Sequence, residues 1–311
     1  NAIIPVLIVP YYSVIGGWVL KYLVEYVRGH AQPVAEDGYF SAFISDGFST
    51  EICFVIFSVI TLAIIYERVS KFMMPILVVL SVIIAIYSVT RPGALAGVKY
   101  FLVPNISNFS WMTVVAAMGQ MFYSLSIAMG ILYTYGSYIG KDVDIEKSTT
   151  QVEIFDTGVA LLAGLMIIPA VIAFNGGDPS QVNSGPGLMF ITLPMVFDSM
   201  KFGTIIGAVF FLLVLFAALT SSISLMETLV SVLMDKAHMK RKTATIVITV
   251  SCLLIGMLSC LGYGPWATIT VIGMQFLDFF DFISNSVLMP IVALLTCILI
   301  GHVVGAKVIA D

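Results

Sequence analysis

Long apolar stretches separated by short polar segments run along the whole chain. A helix of about 20 apolar residues crosses the hydrocarbon core of a bilayer, and eight stretches approach that length. The pattern therefore predicts eight membrane-spanning helices, at residues 3–27, 51–66, 72–89, 111–139, 153–174, 202–234, 243–261 and 278–302. The longer polar segments, at residues 28–49, 91–108 and 175–200, are predicted to be loops.

The fourth apolar stretch differs from a plain spanning helix. Residues 119–130 read GQMFYSLSIAMG, with a glycine at each end and the hydroxyls of Ser124 and Ser126 near the middle. One interpretation is an ordinary helix whose small residues form a packing surface. The other is an interrupted helix, in which free backbone carbonyls and amides at membrane depth coordinate an ion or a zwitterion. The residues of this stretch leave both interpretations open.

Composition places the chain among all-α polytopic membrane proteins, because 59% of its 311 residues are hydrophobic and only 10% are charged. The sequence contains no phosphate-binding glycine motif, no catalytic Ser-His-Asp set and no basic patch for nucleic acid. Its four cysteines and three histidines fit no metal or disulfide pattern. An enzyme or a nucleic-acid-binding protein is therefore not expected, and no cofactor is predicted.

The lysines and arginines predict the orientation in the membrane, because cytoplasmic loops carry an excess of them. Nine of the 14 lie in one set of loops, namely Arg68, Lys71, Lys141, Lys147, Lys236, Lys240, Arg241, Lys242 and Lys307. The other five, Lys21, Arg28, Arg91, Lys99 and Lys201, lie on the opposite side. The first set is predicted to be cytoplasmic.

Carboxylates and hydroxyls at membrane depth are costly, so each one is a candidate for a functional role. The candidates are Asp156, Thr220, Ser221, Ser222, Glu227, Asp278 and Asp281. All of these groups except Glu227 also have a simpler interpretation. The hydroxyls of residues 220–222 can bond to the preceding helical turn, and Asp156 can be a charge at the start of its helix. Asp278 and Asp281 can be exposed at the membrane interface.

Four further motifs accompany residues 119–130: YTYGSYI, GPGLMFITLP, AALTSSISLMET and FLDFFDF. Together and in this order they resemble the neurotransmitter:sodium symporter family, whose bacterial members are sodium-coupled amino-acid transporters. The resemblance implies the inverted-repeat transporter fold of the bacterial leucine transporter type, with ten core helices in two five-helix repeats. The chain is similar to the third to tenth of these helices, so residues 1–311 are expected to be a partial transporter domain lacking the first two. Residues 1–89 would be the last three helices of the first repeat, and residues 111–304 the second repeat.

The resemblance also implies the roles of individual residues. The substrate site would contain Ile8, Tyr12, Tyr123, Ser126, Met129, Ser221 and Leu225. The sodium ligands would be Ser124, Asp156, Ala217, Thr220 and Ser221. Tyr138 and Asp235 would belong to an inner gate, and Asp281 to an outer gate. Within the substrate site, Tyr12 would donate to the substrate carboxylate and Tyr123 would be an aromatic lid.

The chemistry of these residues agrees with the implied function. Sodium is a hard cation that prefers oxygen ligands, and Ala217 precedes Thr220 by three residues, so a carbonyl and a hydroxyl can meet on one helical turn. We expect sodium-coupled symport of a hydrophobic amino acid across the bacterial inner membrane by alternating access. The carboxylate of Asp156 would make this transport independent of chloride. The expected partners are the amino acid, sodium and the lipid bilayer, and the alternative is an ion channel or an amino-acid-sensing receptor on the same fold.

Overall fold

The computed structural model describes residues 2–65, 70–140, 142–178 and 185–304. In chain order its helices are α1 (Ile3–Val27), α2 (Ala31–Ala35), α3 (Tyr39–Ser45), α4 (Gly47–Ile64), α5 (Ser70–Val89), α6 (Ala94–Leu102), α7 (Trp111–Ser124), α8 (Ile131–Tyr138), α9 (Ile145–Phe174), α10 (Gly185–Asp198), α11 (Gly203–Ala237), α12 (Arg241–Gly262) and α13 (Phe276–Val304). Within these described ranges, seven helices are long and apolar enough to cross a membrane: α1, α4, α5, α9, α11, α12 and α13. The prediction of an all-helical, multi-pass membrane protein is confirmed.

The interruption in the fourth apolar stretch is present. Helix α7 ends at Ser124 and α8 begins at Ile131, so neither is long enough to span a bilayer by itself. The connecting residues include Ser126 and Ala128 with φ of 55° and 67°, and Gly130 with φ of 81°. A left-handed backbone ends a right-handed helix, so these residues break the helical hydrogen bonding.

The predicted loops contain short helices, and in this respect the prediction is wrong. Residues 28–49 contain α2 and α3, residues 91–108 contain α6, and residues 175–200 contain α10. The reason is packing, since Phe40, Phe43 and Phe190 of these segments are buried. A buried backbone needs internal hydrogen bonds, which a short helix supplies.

Several predicted helix boundaries also shift. Helix α9 begins at Ile145, eight residues before the predicted start at residue 153. Residues 145–152 are mostly exposed and polar. They therefore extend the helix without lengthening the apolar stretch from which its start was predicted. Helix α4 likewise begins at Gly47 rather than at residue 51, because the side chain of Asp46 caps the amides of Phe48 and Ser49.

The chain forms two compact units. Unit 2 contains the described residues of 14–109 and 150–221, and its core is aromatic. The rings of Phe40 and Phe190 stack at 5.1 Å with an interplanar angle of 11°, and the hydroxyl of Tyr22 donates to the carbonyl of Phe190 at 2.8 Å. A Cβ at Gly17 would lie 2.7 Å from the backbone nitrogen of Phe54. Glycine therefore allows α1 to approach α4 closely.

Unit 1 contains the described residues of 2–13, 110–149 and 222–304. It includes the interrupted pair α7 and α8, the second half of α11, and helices α12 and α13. Helix α13 contains a π-helical segment over Phe282–Leu288. Such segments are rare and occur frequently at functional sites. The two units group residues by spatial contact, so the predicted division into repeats at residues 1–89 and 111–304 stays a prediction.

Candidate functional site

The break between α7 and α8 lies next to a cavity of about 560 Å³ in unit 1. Ser126, Ala128 and Gly130 line one side of it, and Pro290 and Thr296 of α13 line another. Most of the lining is apolar. A left-handed backbone at a non-glycine residue costs free energy and persists only where the surrounding structure stabilises it. Such residues cluster at functional sites. A broken helix beside an apolar cavity is an arrangement that can hold a small ligand with an apolar body and polar ends.

Six of the predicted substrate residues belong to unit 1. Among these, Ile8, Met129 and Leu225 are buried, with relative exposures of 0%, 3% and 4%. Tyr12, Tyr123 and Ser126 are half-buried. The seventh predicted residue, Ser221, is exposed and belongs to unit 2.

Tyr11, the neighbour of the predicted substrate residue Tyr12, is part of a polar cluster in unit 1. Its side chain is 2% exposed, and its hydroxyl oxygen accepts a hydrogen bond of 3.2 Å from Nδ2 of Asn285. The same Nδ2 donates to Oδ1 of Asp281, the predicted outer-gate acid, at 2.5 Å. Sequence reasoning missed both Tyr11 and Asn285. The available signals were the tyrosine pair at residues 11–12 and the spacing of four residues between Asp281 and Asn285.

Asp278 and Asp281 are both exposed, as the interpretation of interfacial carboxylates expects. Each also has a hydrogen-bond partner, however. Asp278 accepts a bond of 3.0 Å from the hydroxyl of Tyr263. The two carboxylates at this end of α13 are therefore exposed, and each is also held by a specific hydrogen bond.

The resemblance assigns the predicted sodium ligands to two sites, the first with Ser124 and Asp156 and the second with Ala217, Thr220 and Ser221. Two oxygens of the second site lie together in unit 2. The hydroxyl of Thr220 lies 3.0 Å from the carbonyl oxygens of both Ala217 and Phe216. This is the expected bonding to the preceding turn, and it also sets two predicted ligand oxygens side by side. Cations of similar size bind oxygens at about 2.3–2.6 Å, so one ion could contact both oxygens at their present spacing.

Ser124 and Asp156, the predicted ligands of the first site, belong to different units and are described separately. Ser124, the last residue of α7, is exposed and belongs to unit 1. Asp156 is half-buried and belongs to unit 2. Asp156 follows Ile145, the start of α9, by eleven residues, which corresponds to about three helical turns. The interpretation of Asp156 as a charge at the helix start is therefore wrong, because the favourable region extends only over the first turn.

Three side chains meet at the predicted inner gate. The carboxylate of Glu227 accepts two hydrogen bonds of 2.7 Å from the guanidinium of Arg241 and one of 2.9 Å from the hydroxyl of Tyr138. Glu227 is 8% exposed. Asp235 is exposed in the last turns of α11. Sequence reasoning identified Tyr138 and gave Glu227 no ligand role, but it missed the pairing of Glu227 with Arg241.

Comparison with known proteins agrees with these features. The profile described as the Sodium:neurotransmitter symporter family matches residues 48–311. A Bacillus subtilis (strain 168) protein, described as the uncharacterized sodium-dependent transporter YhdH, is 35% identical over 304 residues, covering 94% of this chain and 66% of that protein. A Haemophilus influenzae protein, also described as an uncharacterized sodium-dependent transporter, is 33% identical over 312 residues, covering 95% of this chain and 67% of its own length.

Among solved structures, the crystal structure of MhsT in complex with L-phenylalanine is similar to the chain with a TM-score of 0.84 and 36% sequence identity. The similarity covers 97% of this chain and 70% of MhsT. The chain thus spans about two thirds of the length of the B. subtilis relative, at 66%. The helical architecture, the interrupted helix and the match over residues 48–311 together establish that the chain belongs to the sodium:neurotransmitter symporter family, which is a family of membrane transporters and not of enzymes.

Proposed function

We propose that the chain forms the greater part of a sodium-coupled symporter that carries a hydrophobic amino acid by alternating access. The observation that carries this proposal is the break in the fourth apolar stretch, where the left-handed Ser126 and Ala128 line an apolar cavity. Free backbone groups at such a break can bind the charged ends of an amino acid, and Ser126 is the one predicted substrate residue that also lines the cavity. The names of the relatives, which are sodium-dependent transporters, support the coupling ion.

A hydrophobic substrate agrees with the predicted side-chain pocket. Ile8, Met129 and Leu225 are apolar and buried, so they offer no charge to pair with a charged substrate side chain. A methionine is flexible and can make room for a ring. The solved complex of MhsT with L-phenylalanine supports an aromatic or aliphatic substrate for this chain as well.

Sodium binding by neutral oxygens agrees with the geometry at Thr220. Its hydroxyl and the carbonyl of Ala217 lie 3.0 Å apart, and Ser221 follows directly in the sequence. Helices leave few carbonyl oxygens available, so a hydroxyl beside a carbonyl on one turn is a suitable pair of ligands for a hard cation. Ser124 would supply a ligand to the other sodium ion.

Independence from chloride would follow from Asp156. Sodium ions and a zwitterion bring net positive charge into a site of low dielectric constant, which requires an anion nearby. A human protein that is 27% identical to this chain over 242 residues is described as the sodium- and chloride-dependent GABA transporter 2. In this chain a carboxylate lies about three turns inside α9, and it could replace the chloride ion.

The test of the proposal uses the full-length protein that contains this chain, purified and reconstituted in lipid vesicles. We expect labelled phenylalanine to accumulate transiently above its equilibrium level when an inward sodium gradient is imposed, but not with potassium in place of sodium. Excess leucine should compete with the labelled substrate, and lysine should not. Uptake that only reaches equilibrium would favour a channel, and binding without uptake would favour a receptor. Either result would overturn the proposal.

A further inference from the structure

Asn285 stands at the centre of a hydrogen-bond cluster that the predicted roles do not use. It lies in the π-helical segment Phe282–Leu288, four residues after Asp281. Its Nδ2 donates to Asp281 at 2.5 Å and to the hydroxyl oxygen of Tyr11 at 3.2 Å. An ionised carboxylate only accepts hydrogen bonds, so the amide nitrogen must face Asp281. Both hydrogens of this amide are therefore used.

Tyr11 extends the cluster from Asn285 to the interrupted helix. Its oxygen accepts from Asn285, and its own O–H remains a donor beside Asp281, which accepts from the same amide nitrogen. The side chain of Tyr123 lies close enough to Tyr11 to interact with it electrostatically. The four residues belong to unit 1. Tyr11 is thus next to both Tyr123 of α7 and the hydrogen-bonded pair of Asn285 and Asp281 on α13.

The amide oxygen of Asn285 gives a second observation. Its Oδ1 is buried and has no hydrogen-bond partner within the described ranges. A buried acceptor without a donor costs free energy, and such a group usually receives a donor in some state of the protein. Because this oxygen belongs to the same amide that contacts Asp281, a cation that pairs with the carboxylate could also donate to the Asn285 oxygen.

From this geometry we infer that Asn285 is a positioning residue that couples the outer-gate acid Asp281 to the aromatic lid Tyr123 through Tyr11. The inference deepens the proposed function and rests on it. Hydrogen bonds to a carboxylate are about twice as strong as neutral ones and hold its orientation, and connected bonds reinforce one another. Closure of the lid over the substrate would therefore fix Asp281 in the orientation that closes the gate.

The experiment measures access to the substrate cavity rather than transport alone. In the full-length protein, the native cysteines are replaced and Ser126, which lines the cavity, is changed to cysteine. A membrane-impermeant thiol reagent is added from outside, with sodium and with or without phenylalanine. We expect phenylalanine to slow labelling of the parent protein, and Asn285→Ala to label about tenfold faster in its presence, the size expected for one charge-assisted hydrogen bond.

Two comparisons separate coupling from a purely structural role. Tyr11→Phe removes only a hydroxyl and should speed labelling, while the double variant Tyr11→Phe with Asn285→Ala should be no faster than the stronger single variant. Ser286→Ala, an exposed neighbour in the same π-helical segment, should label like the parent. Additive effects of the two substitutions, or Asn285→Ala labelling as slowly as the parent, would overturn the inference.

If Asn285→Ala does not fold, Tyr123→Phe tests the same coupling between Tyr123 and Asp281, because it keeps the ring and removes only the hydroxyl. Faster labelling would support the coupling, and labelling at the parent rate would contradict it. Sodium-driven uptake by the wild type in the same vesicles tests the proposed function separately. A wild type without uptake would refute that function, while labelling without substrate would still show whether Asn285→Ala alters access.

Discussion

Glu227 and Arg241, which are 14 residues apart on consecutive helices, are joined by two parallel hydrogen bonds of 2.7 Å. The carboxylate is largely buried, whereas the Arg241 side chain is 40% exposed. Tyr138 donates to the same carboxylate at 2.9 Å. The pair therefore ties α11 to α12 and brings α8, the second half of the interrupted helix, to the same charge.

Removing the arginine should destabilise the protein. Arg241→Ala leaves a buried carboxylate without its cation, which we expect to cost about 2–3 kcal/mol because the pair is partly exposed. Thermal unfolding of the purified protein in detergent measures the loss. Lys242→Ala is the matched control, since Lys242 is the exposed neighbour on the same helix, and should change the melting temperature little. Equal melting temperatures for the two variants would show that the pair adds no stability.

Asp156 should make transport independent of chloride. In full-length protein reconstituted in vesicles, uptake of phenylalanine should be the same when gluconate replaces chloride. Asp156→Ser removes the fixed anion but keeps an oxygen, so uptake should fall in gluconate and recover in chloride. Glu153→Ser, on the exposed first part of α9, is the control and should be unaffected. A wild type that requires chloride would contradict this prediction.

Thr220 should contribute to sodium binding. Thr220→Val keeps the shape and removes the hydroxyl that lies beside the carbonyl of Ala217. We expect the sodium concentration for half-maximal uptake to rise about tenfold or more, since a cation ligand is lost. Thr228→Val is a matched control, because Thr228 lies on the same helix and makes the same kind of bond, to the carbonyl of Ser224 at 3.0 Å. Equal sodium dependence of the two variants would remove Thr220 from the site.

Met129 should set the size of the substrate side chain. Met129→Ala removes buried apolar surface, and at about 0.8 kcal/mol for each buried CH₂ group the apparent affinity for leucine should fall about tenfold or more. Tryptophan should lose less, because its larger ring can fill the added space. Competition against labelled phenylalanine measures both. Met121→Ala, an exposed methionine on α7, serves as the control, and an equal loss for leucine and tryptophan would speak against a size-determining role.

Features that depend on neighbouring residues could be predicted from the sequence. The eight apolar stretches follow from the length needed to cross a bilayer. The glycines and hydroxyls within residues 119–130 indicated a possible interruption but left an ordinary helix open as well. The contact between Thr220 and Ala217 is equally local, because residues three apart lie on the same helical face. The apolar stretches and the Thr220 contact are determined within a few helical turns, so a single sequence is sufficient to predict them, whereas the break in the fourth stretch needed the structure.

Features that join distant parts of the chain required three-dimensional packing. Asn285 and Tyr11 are 274 residues apart, and no periodicity in the sequence indicates which residue of the tyrosine pair meets the amide. The helices within the predicted loops are a second case, since Phe40 and Phe190 stack on one another from segments far apart in the chain and both pack against Trp18 and Tyr22. Local sequence determines where helices can form, whereas the packing of whole helices selects which of their polar side chains meet.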